Sequence, residues 1–183
     1  AAALLDIPAA GRAAAWVTLT ARPNSNELLY GVQDAGSDLN TRKWSGSAWD
    51  TATQHPEHDA TTENITSMNF DLVYETYPAN ADVAWLVWGD GATVSTKRWS
   101  GAAWGTPTVL AGSDDTSFLV LHSNPATGAI FSVEYQSTTS APDDLYERHL
   151  ISGGSSWSSA ATIWAGPTVA DPVTFRVNFD TER

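Results

Sequence analysis

Cysteine is missing altogether, so the chain has no disulfide framework and no thiolate metal site, and oxidised pairs report nothing about its redox compartment. Positive charge is scarce. Lys43 and Lys97 are the only lysines, and 9 Lys and Arg against 21 Asp and Glu leave a formal net charge of −12. Nucleic acid is therefore not an expected partner, because phosphate backbones are held by clustered cations. Acidic charge of this size instead keeps a repetitive β surface soluble. There is no run of 18 apolar residues and no charged, apolar, small-residue pattern at the N-terminus. No membrane insertion is expected within this chain, and any export signal is expected to lie outside it or to have been removed. A Gly-x-Ser-x-Gly elbow and a phosphate-binding loop are lacking too.

What the chain has is tryptophan, nine residues of it in 183, among short runs of Val, Thr, Tyr and Phe that favour strands. Trp44-Ser45-Gly46-Ser47-Ala48-Trp49 returns as Trp99-Ser100-Gly101-Ala102-Ala103-Trp104, and more weakly as Ser152-Gly153-Gly154-Ser155-Ser156-Trp157. Gly46 and Gly101 suit the first central position of a two-residue hairpin turn, where φ is positive. That turn sets Trp44 opposite Trp49 and Trp99 opposite Trp104, a cross-strand aromatic clasp. The spacing of about 55 residues marks a tandem repeat of supersecondary units.

Taken in order, the chain reads as an all-β fold of three four-stranded antiparallel units, about residues 16–67, 69–116 and 117–172 of a single domain. The units resemble propeller blades in a partial or small propeller; a two-layer β-sandwich is the alternative. Lone strands are expected at 3–7 and 173–179. Left unpaired, they would offer Leu4, Leu5, Ile7, Val173, Phe175 and Val177 as edges to a neighbouring copy.

The Trp-x-Gly-x-x-Trp hairpins, the Pro23-Asn24-Ser25-Asn26-Glu27 turn and the Asp34-Ala35-Gly36-Ser37-Asp38 loop resemble tandem repeats of large secreted bacterial surface proteins, similar in style to sialidase propeller repeats. The resemblance implies an extracellular or cell-surface β-repeat protein. The Asp-box of sialidases is not matched, since no Asp occupies the box position in any clasp, and the seven arginines are scattered rather than grouped in three.

Glycoside hydrolysis needs two carboxylates across the sugar, and nothing in the sequence marks Glu75 and Glu134 as such a pair. Calcium is the one candidate ion, with Asp34, Asp38, Asp143 and Asp144 as its ligands, set against the ordinary role of loop Asp in turn geometry. His55 and His58, beside Glu57 and Asp59, sit on a polar link with no frame to hold a metal. Asn64-Ile65-Thr66 is a glycosylation acceptor pattern. The clasp tryptophans recur as core residues do, whereas Trp85 and Trp88 point to opposite faces of one strand and, with Trp164, are the candidates for a glycan or an interface.

The reading these features support is a non-enzymatic structural or adhesion module that self-associates through strand edges, as a homo-oligomer, a filament or pilus-like subunit, or with further repeats of its own protein. A carbohydrate-binding or glycoside-hydrolysing propeller is the alternative, with glycans as partners.

Overall fold

The computed structural model describes residues 13–50, 58, 68–76, 81–112, 116–136 and 144–166. Within them lie eleven strands in three antiparallel sheets, each a simple meander. The first sheet is β1 (Ala14–Ala21), β2 (Leu28–Asp34) and β3 (Leu39–Trp44). The second is β4 (Phe70–Tyr74), β5 (Ala84–Gly89), β6 (Val94–Trp99) and β7 (Thr108–Val109). The third is β8 (Phe118–Ser123), β9 (Ile130–Gln136), β10 (Asp144–Leu150) and β11 (Ala161–Ala165).

The clasps form as the turn chemistry requires. Gly46 and Gly101 have φ of 93° and 92°, and Ser45 N–H and Ser100 N–H donate to Ala48 O and Ala103 O. The serines add a second layer, each hydroxyl donating to that same carbonyl while accepting from the amides of the turn. Trp44 meets Trp49 at 5.4 Å and Trp99 meets Trp104 at 5.5 Å, edge to face or tilted, the geometries that aromatic quadrupoles favour.

Ladder bonds just outside the clasps align the three repeats. Asp50 N–H donates to Lys43 O, Gly105 N–H to Arg98 O and Ser158 N–H to His149 O. The third clasp therefore has Leu150, not Ser152, in the place of the first tryptophan. Two extra residues lengthen its loop, which closes through Gly154 N–H to Ile151 O. In the first unit the stretch expected as a fourth strand falls largely outside the described residues, but His58 N–H donates to Leu39 O where Leu110 N–H donates to Val94 O in the second.

The sheets stack in chain order, with β1 against β4 and β4 against β8, and among the described strands the close backbone approaches between sheets run through these inner strands and β2 and β5 beside them. This is a fan of blades around their first strands, not the two layers of a sandwich. Asp71 on β4 joins all three first strands, accepting from Thr18 Oγ1 on β1 (2.7 Å) and from Leu121 N–H on β8 (2.9 Å). Each inter-sheet space has its own core. Leu29 and Leu39 pack with Phe70, Leu72, Leu86, Trp88 and Trp99 in the first, and Trp85, Val87, Val94 and Leu110 with Leu119, Ile130 and Leu150 in the second. Gly31 has no room for a side chain: a Cβ there would stand 2.6 Å from Leu72 Cδ2. The lone strands expected at 3–7 and 173–179 lie outside the described residues, as does Asn64.

Candidate functional site

Strand alternation sorts the second sheet's side chains between its two neighbours. Leu86, Trp88 and Trp99 enter the first core, and Trp85, Val87 and Val94 the second. Thr96 and Arg98 follow Val94 on the same side of β6, toward the third sheet. Trp85 and Trp88 do lie on opposite faces, but each face meets another sheet, so they are 3% and 2% exposed and neither is a surface residue.

Where the second and third sheets splay apart toward their outer edges, they leave a cleft of about 370 Å³. Its floor is Trp85, whose cross-strand partner is Arg98, with Thr96 alongside. One wall is the outer edge of the second sheet at Thr106, Thr108 and Val109, and the other is the third clasp loop at Ser155, Ser156 and Trp157. Trp157 stands edge-on to Trp85, with ring centres 5.9 Å apart at 88°. It is half-buried, and its indole N–H has no acceptor among the described residues.

Buried polar contacts hold this frame. Glu75, at the end of β4, is fully buried; its Oε1 accepts the Trp85 indole N–H at 3.0 Å and its Oε2 accepts Gly153 N–H at 3.2 Å. One carboxylate thus ties the floor to the loop that carries Trp157. Below the loop, Arg148 Nε donates to Glu134 Oε1 at 2.8 Å, both side chains wholly buried, and Arg148 Nη1 donates across the interface to Ala111 O on the cleft wall. Burial pushes the Glu134 carboxyl up, and the Arg148 guanidinium works against that rise. Both carboxylates considered for hydrolysis, Glu75 and Glu134, are thus tied into the frame.

Among the described residues the cleft carries one cation and several hydroxyls. Arg98 is exposed and makes no ion pair among the described residues, and none of the described residues lining the cleft is acidic. Asp114 and Asp115, a little further along the chain, lie outside the described residues. In the first interface the position of Leu110 is taken by His58, whose Nε2 meets Thr41 Oγ1 at 2.7 Å, whose Nδ1 meets Lys97 Nζ at 3.3 Å and whose ring lies 4.9 Å from Trp104.

The other candidates lie apart from the cleft. Trp164 on β11 is 46% exposed and does not line it. Asp34 turns one oxygen back on the backbone, accepting from Gly36 N–H and Asp38 N–H, and Asp144 accepts the Tyr146 hydroxyl. Asp143 lies outside the described residues, and among those described no three His, Asp or Glu side chains gather to hold a metal ion. Sequence reasoning passed over Arg98 as one scattered arginine and Trp157 as part of a degenerate clasp. Their shared signal, the alignment of His149 with Arg98, becomes visible only through the ladder bonds.

No family model and no curated protein matches the chain. Solved structures do. The lectin BP39L from Burkholderia pseudomallei superposes with a TM-score of 0.60 at 12% identity, over 81% of this chain and 41% of that one. The lectin from Aleuria aurantia, described as a six-bladed β-propeller with a novel fucose recognition mode, gives 0.53 at 15% identity, over 87% of this chain and 46% of its own. AofleA from Arthrobotrys oligospora gives 0.53 at 12%, over 86% and 47%. The chain spans less than half the length of these proteins, and what the likeness shows is the fold: its three sheets are β-propeller blades.

Proposed function

We propose that this chain is a carbohydrate-binding module that takes a saccharide between its second and third blades and does not cleave it. The observation that carries the reading is the cleft itself. A half-buried Trp157 offers a ring to the apolar face of a sugar, while Arg98, Ser155, Ser156 and Thr108 stand within the same 370 Å³ to bond its hydroxyls. Support also comes from the lectins that share the fold, among them the fucose-specific lectin from Aleuria aurantia. Glu75 and Glu134, buried and bonded, are not available as an acid and a nucleophile. The proposed setting is the cell exterior or surface, where glycans are displayed. The test is a glycan array read with intrinsic tryptophan fluorescence. Sugar-dependent quenching that disappears in Trp157→Ala, with the melting temperature kept within a few degrees, supports the reading; an array without a single binder refutes it.

Self-association is a second reading, favoured by apolar side chains on the outermost faces. Val17 and Leu19 on β1 are 50% and 59% exposed on the side away from the second sheet, and Ile163 and Trp164 on β11 are 51% and 46% exposed. Two chains of three blades would supply as many blades as the six-bladed lectin. Light scattering across a concentration range decides it: a mass twice that of the 19.5 kDa chain, lost in Leu19→Asp, is expected, and a strict monomer sinks it.

A further inference from the structure

From the exposed Arg98 in a cleft whose described lining has no carboxylate, and resting on the reading that it is a saccharide site, we propose that the bound sugar is anionic, bearing a carboxylate or a sulfate ester that Arg98 engages. A neutral sugar presents hydroxyls that both donate and accept, and a charged side chain in a site built for it is commonly matched by a carboxylate or amide acceptor beside it. Here the described lining has no carboxylate and no side-chain amide. The Thr96 hydroxyl is already donated to Leu86 O, and the Ser158 hydroxyl accepts from His149 N–H and donates to Ser159 O. What remains is a guanidinium without a counter-ion among the described residues and the exposed hydroxyls of Ser155, Ser156, Thr106 and Thr108, which can donate or accept. The nearby acid Glu75 is turned away, both oxygens taken by Trp85 and Gly153. A planar guanidinium matches a carboxylate or a sulfate with two parallel hydrogen bonds.

The surroundings narrow the class further. With a net charge of −12 the chain repels a polyanion, and beyond a Debye length of about 8 Å in physiological salt that repulsion is screened. One anionic group on a body that packs against Trp157, Val109 and Leu110 suits such a cleft; a nucleic acid is a polyanion, and a free phosphate has no body to pack there.

The experiment measures affinity of the whole chain for three disaccharides that differ at one residue: glucuronic acid-terminated, glucose-terminated and glucose 6-sulfate-terminated. The expected result is at least tenfold tighter binding of an acidic form than of the neutral one. That preference is lost in Arg98→Gln, partly kept in Arg98→Lys, and weakened by salt. The carboxylate and sulfate arms say which group the guanidinium takes. Arg98 is exposed, so both variants are expected to melt with the wild type, which separates a lost contact from a lost fold. Equal binding of neutral and acidic forms overturns the anionic assignment and leaves the saccharide site standing, whereas failure of all three together with an empty array removes both.

Discussion

At the residue scale, two buried carboxylates do different work. Glu75 divides its oxygens between Trp85 and Gly153, so Glu75→Gln keeps one acceptor and turns an amide N–H2 toward the other donor. A buried donor left without an acceptor costs about 1–3 kcal/mol. The expected outcome is a lower urea midpoint together with weaker sugar binding, because the loop bearing Trp157 loses its tie. Asp71 gives a pH dependence. Burial raises its carboxyl above the ordinary value of 3.8, against the bonds from Leu121, Thr18 and Leu72. A raised folded value means that the folded state holds its proton more tightly than the unfolded chain. The contribution of Asp71 to stability is therefore fullest below 3.8 and is lost as pH rises through the folded value. His122 acts in the other sense: burial lowers it from 6.5, so its contribution is present above 6.5 and is lost as pH falls. Comparing thermal melts of the wild type with Asp71→Asn across the acidic range isolates the first term. The wild type should gain on the variant as pH falls, and parallel curves would refute the assignment.

At the scale of the element, sheet-to-sheet contact is where small changes should matter most. Gly31→Ala places a methyl group 2.6 Å from Leu72 Cδ2 and 3.0 Å from Phe70 Cε2, so the first sheet must back away from the second. Overpacking of this kind costs roughly 1–3 kcal/mol, read as a fall in the urea midpoint at unchanged slope. Arg148→Met strands the buried Glu134 carboxylate and should cost about 3–5 kcal/mol, while the double change with Glu134→Leu should recover most of it.

The clasps were legible because Trp-x-Gly-x-x-Trp contains its own register: the turn glycine fixes which residues face each other. The blade count followed from the repeat spacing. The cleft was not legible, because Arg98 and Trp157 come together only once β6 and the third clasp loop belong to adjacent blades. Nor did the pattern reveal that both faces of β5 are covered, and so Trp85 and Trp88 read as surface candidates. Leu150 escaped notice as the clasp partner of Trp157 because the longer loop around Gly153 and Gly154 displaces the match by two residues.

For the molecule as a whole, a stack of meanders has stability that is close to a sum of blade terms and nearest-neighbour terms. The two interface cores share only the second sheet, so loosening one should leave the other standing. Hydrogen exchange of the Arg148→Met variant is expected to speed up in β8 to β11 while β2 and β3 keep their protection; uniform loss would mean that the blades unfold as one. One feature of the frame reaches beyond stability. Lys43, Arg98 and His149 hold the same rung of successive blades, a primary ammonium, a guanidinium and an imidazole on one backbone template. A lattice of identical pockets gains avidity for a uniform carpet of one sugar. On the saccharide reading proposed above, blades whose rungs carry unlike groups would suit heterovalent capture, in which neighbouring positions along one glycan must each present a different group.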